Sequence, residues 1–150
     1  MDHESYMRLA LAQARLAGEM GEVPVGAVVS DREGRVIAAC KNLRETDRDP
    51  LAHAELLAIK QAAQALSGRR LSGCTLYVTL EPCPMCAGAM VMAGLDACVF
   101  GAYDKKQGCG GSVYDLLNDP AFSHRVKTLG GILEEECKAL LRQFFAARRD

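Results

Sequence analysis

The stretch Thr79-Leu-Glu-Pro-Cys-Pro-Met-Cys-Ala-Gly-Ala89 sets Cys83 and Cys86 in Cys-x-x-Cys spacing, with Pro84 at the expected first position of a helix. The run before it, Cys74-Thr-Leu-Tyr-Val-Thr-Leu80, is almost continuously apolar and reads as a central strand. The two thiols therefore fall where a strand hands over to a helix, and a helix start stabilises thiolates. Upstream, His53-Ala54-Glu55 stands in the first turn of a second predicted helix. Together the segments read H-x-E and P-C-x-x-C. Zinc favours imidazole and thiolate in a tetrahedron, and His53, Cys83 and Cys86 supply three such ligands. Three rather than four leave one position to water, whose acidity the metal raises. Glu55 then stands where it can move protons without binding the metal. The chain reads as organised to bring these two segments together around one zinc ion.

Each part has a simpler reading. Cys-x-x-Cys after a strand also fits a thioredoxin-like redox pair, or half of a structural zinc site completed by Cys74, Cys98, Cys109 or His124. Neither needs a His-x-Glu at a helix start. The helix dipole alone favours an acid in the first turn, which accounts for Glu55 but not for Glu55 together with His53.

Outward from this centre, the rest alternates strand and helix. Asp2 or Ser5 can cap a first helix whose face is Met7, Ala10, Leu11 and Ala14, with Gly18 and Gly21 ending it. Val23-Pro-Val-Gly-Ala-Val-Val-Ser30, the turn Asp31 to Gly34 and Val36-Ile-Ala-Ala-Cys40 form a hairpin. Gly26 allows a close approach to a ligand or marks a bulge. Asn42 is a turn former or, as both donor and acceptor, a reader of a base edge. The second helix spans about Ala52 to Leu66, with Leu56, Ile59, Ala63 and Leu66 inward. The third ends at Ala93, and Ala97 to Gly101 is the next strand. A glycine-rich loop, Tyr103 to Ser112, could overhang the site. A short helix over Val113 to Leu117, an edge strand at Lys127 to Leu129 and a last helix from Leu133 to Arg148 complete the chain. His3 reads as a solvated terminal residue. A hairpin plus helical crossovers predicts an α/β fold, a three-layer α/β/α sandwich on a mixed five-stranded sheet, in a single domain over residues 1–150.

A chain of 150 residues buries roughly 68–70% of its unfolded surface, enough for a real core. With 49% hydrophobic and 25% charged residues it is an ordinary globular composition. A net charge of -1 excludes a globally basic nucleic-acid binder, so any such partner must meet a local patch. No apolar run is long enough to span a membrane, which predicts no membrane partner. Seven cysteines without a secretory signal predict a reducing, cytoplasmic setting, with Cys40, Cys74 and Cys98 as buried small hydrophobes in strands.

The motif pair is similar to the signature of zinc nucleobase deaminases. The chain closely resembles the bacterial tRNA-specific adenosine deaminases of the cytidine deaminase-like superfamily over nearly its full length. The match is carried by Val23-Pro-Val-Gly-Ala27, Asn42, Asp49-Pro50, Ala52-His-Ala-Glu55, Tyr77 to Cys83 and Met85 to Met90. Beyond Phe100 it is carried by Asp104, Gly108, Gly110-Gly-Ser112, His124-Arg-Val126 and Phe144-Phe145. The zinc motifs are shared with cytosine, cytidine and guanine deaminases, whereas the segments after Phe100 point to the tRNA branch. The resemblance implies hydrolytic conversion of adenosine to inosine at the wobble position of a tRNA anticodon, in a homodimer with one zinc per subunit. His53, Cys83 and Cys86 would hold zinc and Glu55 would shuttle protons. Val25 and Asn42 would bind the base, Asp104 the neighbouring ribose, and Phe144, Phe145 and Arg148 the anticodon stem-loop. In isolation the terminal arginines, Arg149 included, also read as complements to the helix dipole. Arg48, Leu51, Gly94 and Cys109 depart from the common pattern, away from the zinc and Glu55 positions. The alternative activity is a free guanine or cytosine deaminase of the same superfamily. A different class is an RNA-binding partner that keeps zinc for structure, for which Glu55 has no use.

Overall fold

A computed structural model describes residues 1–148, so Arg149 lies outside the described residues. Helix α1 (His3–Glu19) is capped by Asp2, whose Oδ1 accepts the Ser5 amide at 2.8 Å. Its predicted face, Met7, Ala10, Leu11 and Ala14, is wholly buried. Strand β1 (Gly26–Ser30) starts three residues later than the sequence suggests. The physical reason is Pro24, which has no N–H for the sheet, while the Val25 amide turns back to the Val23 carbonyl at 2.8 Å. Strand β2 (Val36–Lys41) returns antiparallel to β1, from Gly26 opposite Lys41 to Ser30 opposite Val36.

The remaining elements are α2 (Ala54–Leu66), β3 (Thr75–Leu80), α3 (Pro84–Ala93), β4 (Ala97–Ala102), β5 (Lys127–Leu129) and α4 (Glu134–Ala147). The sheet order is β2-β1-β3-β4-β5. β1 is antiparallel to both neighbours, and β3, β4 and β5 run parallel, giving the expected mixed five-stranded sheet. The crossover through α2 joins strands of one direction, β2 and β3, but β1 lies between them rather than leaving them paired.

Side chains alternate between two cores with the period of a strand. Ala27, Val29, Leu76, Val78 and Phe100 face α2 and α3, while Val28, Tyr77 and Val99 face α1 and Cys137 of α4. This is the predicted three-layer sandwich.

Several local expectations change. The close approach at Gly26 is to α1 and not to a ligand: a Cβ there would collide with the Ala10 carbonyl oxygen and lie 2.5 Å from the Ala14 nitrogen. The bulge in this hairpin falls instead between Val29 and Ser30. Helix α2 turns Ala54, Ala58 and Ala62 to the sheet, with Leu56, Ile59 and Ala63 half-buried and Leu66 exposed. Small residues let the helix lie close to the sheet, and the same phase carries Glu55 inward. Val113 to Leu117 is not a helix. The segment folds back on the loop before it, the Val113 amide bonding the Gly108 carbonyl at 2.9 Å and the Leu116 amide the Cys109 carbonyl at 3.2 Å. Cys40 is half-buried, Cys74 is buried just before β3, and Cys98 is buried in β4. His3 is exposed, with Nδ1 2.9 Å from the Tyr77 hydroxyl. Among the described residues no helix is long and apolar enough to cross a membrane.

Candidate active site

Two helices begin at the same end of the sheet, and each begins on a residue of a type that can ligate a metal. His53 is the N-cap of α2, just before the first turn in which the sequence puts it, and Cys83 is the N-cap of α3. An N-cap side chain ordinarily bonds the amides of its own helix. Neither does so here, which leaves the imidazole and the thiol for other partners. Cys86 lies on the first turn of α3, fully buried. His53 Nδ1 is 3.5 Å from Cys86 Sγ and 3.7 Å from Cys83 Sγ. All three ligand atoms lie within 4.8 Å of one another, and among the described residues this is the one such group of three able to hold a metal ion. Cys74, Cys98, Cys109 and His124 do not join it; His124 Nε2 is 2.7 Å from the Leu95 carbonyl instead.

Electrostatics suit a cation. A hydrogen bond from the Cys86 thiol, opposed by burial and helped by His53, pushes the Cys83 thiol down to about 4. Giving that bond, together with burial, holds the Cys86 proton on. The bond to Cys83 raises His53. The cluster sits at the positive ends of two helix dipoles, which favour thiolates. Glu55 sits beside it, 4% exposed, and burial lifts its carboxyl to about 7, against its own backbone bond and the His53 charge.

The cluster opens onto a cavity of about 890 Å³. His53, Glu55 and Cys83 line it, while Cys86 is fully buried and does not. Val25 and Asn42 line one wall, where the Asn42 amide nitrogen bonds the Val25 carbonyl at 3.0 Å. The Asn42 side chain donates to the Val23 carbonyl at 3.2 Å and accepts the Arg44 amide at 3.1 Å, leaving one N–H and one lone pair for a ligand. Asp104 also lines the cavity, its Oδ1 accepting the Lys106 and Gln107 amides at 3.0 and 3.3 Å. The end of α4 also lines the cavity. Phe144 and Phe145 meet edge to face at 5.3 Å, Arg148 stacks 3.9 Å over Phe144, and its guanidinium donates to the Gly21 carbonyl at 3.2 Å. Arg44, Lys105, Lys106 and Arg148 line the cavity together with the carboxylates of Glu22, Glu45, Glu55, Glu81 and Asp104, so its lining carries charges of both signs.

Two residues escape the sequence reading. Glu22 and Glu81 are almost fully buried carboxylates in the cavity wall. Glu22 accepts the Glu45 and Thr46 amides at 3.0 and 2.6 Å and the Thr46 hydroxyl at 2.6 Å. Glu81 gathers four donors from the loop after β4. The available signal is an acid at the edge of an apolar stretch beside a proline, in Glu22-Val-Pro24 and Glu81-Pro82.

A three-layer sandwich in which an H-x-E and a P-C-x-x-C helix start converge, with an inward glutamate, defines a deaminase of the cytidine deaminase-like fold. The MafB19-like deaminase family model matches residues 1–149. The chain is 50% identical to the tRNA-specific adenosine deaminase of Bacillus subtilis, over 97% of this chain and 90% of that protein. It is 45% identical to that of Aquifex aeolicus, over 100% and 98%. A structure from a study of A-to-I editing by tRNA:A34 deaminases at the wobble position of transfer RNA superposes with a TM-score of 0.87 at 42% identity, covering 91% of this chain and 99% of that one. The guanine deaminase of Nitrosomonas europaea superposes with a TM-score of 0.84 at 28% identity, covering 95% and 84%. The chain belongs to the family of tRNA-specific adenosine deaminases.

Proposed function

We propose that the protein hydrolyses the 6-amino group from the adenosine at the wobble position of a tRNA anticodon, giving inosine and ammonia. The observation that carries this is Glu55, buried beside a three-ligand cluster that opens onto the cavity. Zinc fits the cluster: bonds of about 2.3 Å to sulfur and ~2.0 Å to nitrogen put tetrahedral neighbours about 3.5 Å apart, against the observed 3.5 and 3.7 Å. Bound there, zinc supplies a water acidic enough to add to a ring carbon that bears an amine. Glu55 would take one proton from that water and give it to the ring nitrogen N1, then carry the second proton, from the added hydroxyl, to the amine, which departs as ammonia. Its carboxyl, lifted to about 7, can both hold and release a proton near neutrality. Asn42 orients the purine through its free N–H and lone pair, with Val25 packed against the base. Phe144 and Phe145 offer stacking faces, Asp104 a carboxylate oxygen to a ribose hydroxyl, and Arg148 a guanidinium to the stem-loop. The target base is turned out of a single-stranded loop, which costs less than leaving a duplex.

The same proposal includes a homodimer in the cytoplasm. Exposed Met92 on α3 and Leu66 on α2 supply apolar surface for association, and seven free cysteines suit a reducing compartment. The test is an assay of zinc-loaded protein on a tRNA with a wobble adenosine, on the same tRNA with guanosine there, and on free adenosine, guanine and cytosine. Ammonia release from the first substrate alone is expected. Release from free guanine or cytosine but not from tRNA would make the protein a small-molecule deaminase.

A further inference from the structure

The loop from Tyr103 to Ser112 lines the cavity through Tyr103, Asp104, Lys105, Lys106 and Gln107. No helix or strand holds it; an isolated bridge pairs Gly110 with Asp115. Its anchor comes from another element. Glu81 follows β3 directly, two residues before Cys83, and is 2% exposed. Its Oε1 accepts the Asp104 amide at 2.9 Å and the Ser112 hydroxyl at 2.5 Å. Its Oε2 accepts the Gly110 amide at 2.9 Å and the Ser112 amide at 3.0 Å. Donors from both ends of the loop thus converge on one carboxylate. The Cys109 amide adds a bond to the Pro82 carbonyl at 2.8 Å. The loop is pressed onto this anchor: a Cβ on Gly108 would collide with the Glu81 carboxyl carbon and lie 2.5 Å from its Oε1.

A carboxylate has about four acceptor positions, and four donors occupy them. Glu81 therefore has nothing left to offer a substrate, although it lies in the cavity wall. No cation pairs with it among the described residues. Apolar packing would fill the same space without burying a charge. What the charge adds is a fixed position for both ends of the loop.

We propose that Glu81 is a positioning residue for the polynucleotide substrate. It holds the 103–112 loop against the Cys83 segment so that Asp104, Lys105 and Lys106 meet the RNA in one arrangement. This rests on the proposed tRNA activity. Glu81→Gln places an amide NH2 against N–H donors and frees one end of the loop. The expected result is unchanged zinc content, faster hydrogen exchange at the Asp104, Gly110 and Ser112 amides, and a KM for tRNA raised about tenfold or more with kcat kept within about threefold. Gly108→Ala crowds the loop off the carboxylate without altering Glu81, and shifts KM in the same direction. It decides the matter should Glu81→Gln not fold. Loss of kcat at unchanged KM in both variants marks a merely structural role and overturns the proposal, as do unchanged kinetics. A wild-type protein that converts no tRNA overturns the functional reading beneath it. Unchanged exchange at those amides in Glu81→Gln overturns the anchoring itself, whatever the substrate.

Discussion

At His53 and Cys83 the chain forgoes the usual helix cap, which leaves an N-cap interaction of about 1 kcal/mol unmade at each helix. The freed side chains meet Cys86 at ligand spacing. Cys83→Ser separates the two effects. Serine is a good N-cap but a poor zinc ligand, so the variant is expected to lose zinc and activity while its metal-free fold is no less stable than metal-free wild type. Chelation should lower the Tm of the wild type and leave that of the variant unmoved. One zinc retained per Cys83→Ser chain would contradict the ligand assignment. Glu22 governs a different property. Burial pushes its carboxyl up, but the Thr46 hydroxyl, the Glu45 and Thr46 amides and the Arg44 charge outweigh this and hold it below the usual carboxylate range. A group lowered in the folded state stabilises above its unfolded pKa, near 4.5, and loses that contribution as pH falls through the folded value. Glu22→Gln is therefore expected to be less stable than wild type by about 1–3 kcal/mol at pH 7. The gap should shrink towards pH 3, as read from urea midpoints. A gap independent of pH would contradict this account of Glu22.

Among the elements, β1 and α1 meet at Gly26 so closely that backbone faces backbone. No rotamer change can relieve a Cβ there. Gly26→Ala is expected to lower the urea midpoint by the equivalent of about 1–3 kcal/mol with the slope unchanged. An unaltered midpoint would show that α1 can move away. The element pattern was readable wherever local chemistry sets it: Asp2 as a cap, the Met7-Ala10-Leu11-Ala14 face, Pro84 opening α3. The structure departs from that pattern where bonds within a folded loop or packing against the sheet decide. Val113 to Leu117 has helix-length spacing, yet its amides are taken by Gly108 and Cys109 in the folded loop. In α2 the spacing of Leu56, Ile59, Ala63 and Leu66 predicts that face inward, but Ala54, Ala58 and Ala62 face the sheet, because small residues let the helix approach it closely.

Across the whole molecule, the site gathers at one end of the sheet. The ends of β3 and β4, the end of β2 at Asn42 and the starts of α2 and α3 all converge there, as ligand sites in α/β sheets do outside the strand ends. The metal cluster was legible because each half is local in sequence and its ligand types are unambiguous. Asn42 offered a base reader by its own chemistry, whereas the roles of Asp104, Phe144, Phe145 and Arg148 came through resemblance; the structure brings all five to one cavity from three segments. Glu22 and Glu81 were not legible, since their partners are backbone amides and one hydroxyl each, 23 to 31 residues away in the chain. The measurement that bears most directly on the central claim is inosine at the wobble position of tRNA after incubation with zinc-loaded wild type and with zinc-loaded Glu55→Ala. Wild type is expected to convert that adenosine and no other. Glu55→Ala should hold the same zinc and turn over slower by about a hundredfold or more. Equal conversion by the two proteins would remove Glu55 from the mechanism, and no conversion by zinc-loaded wild type would contradict the assigned reaction.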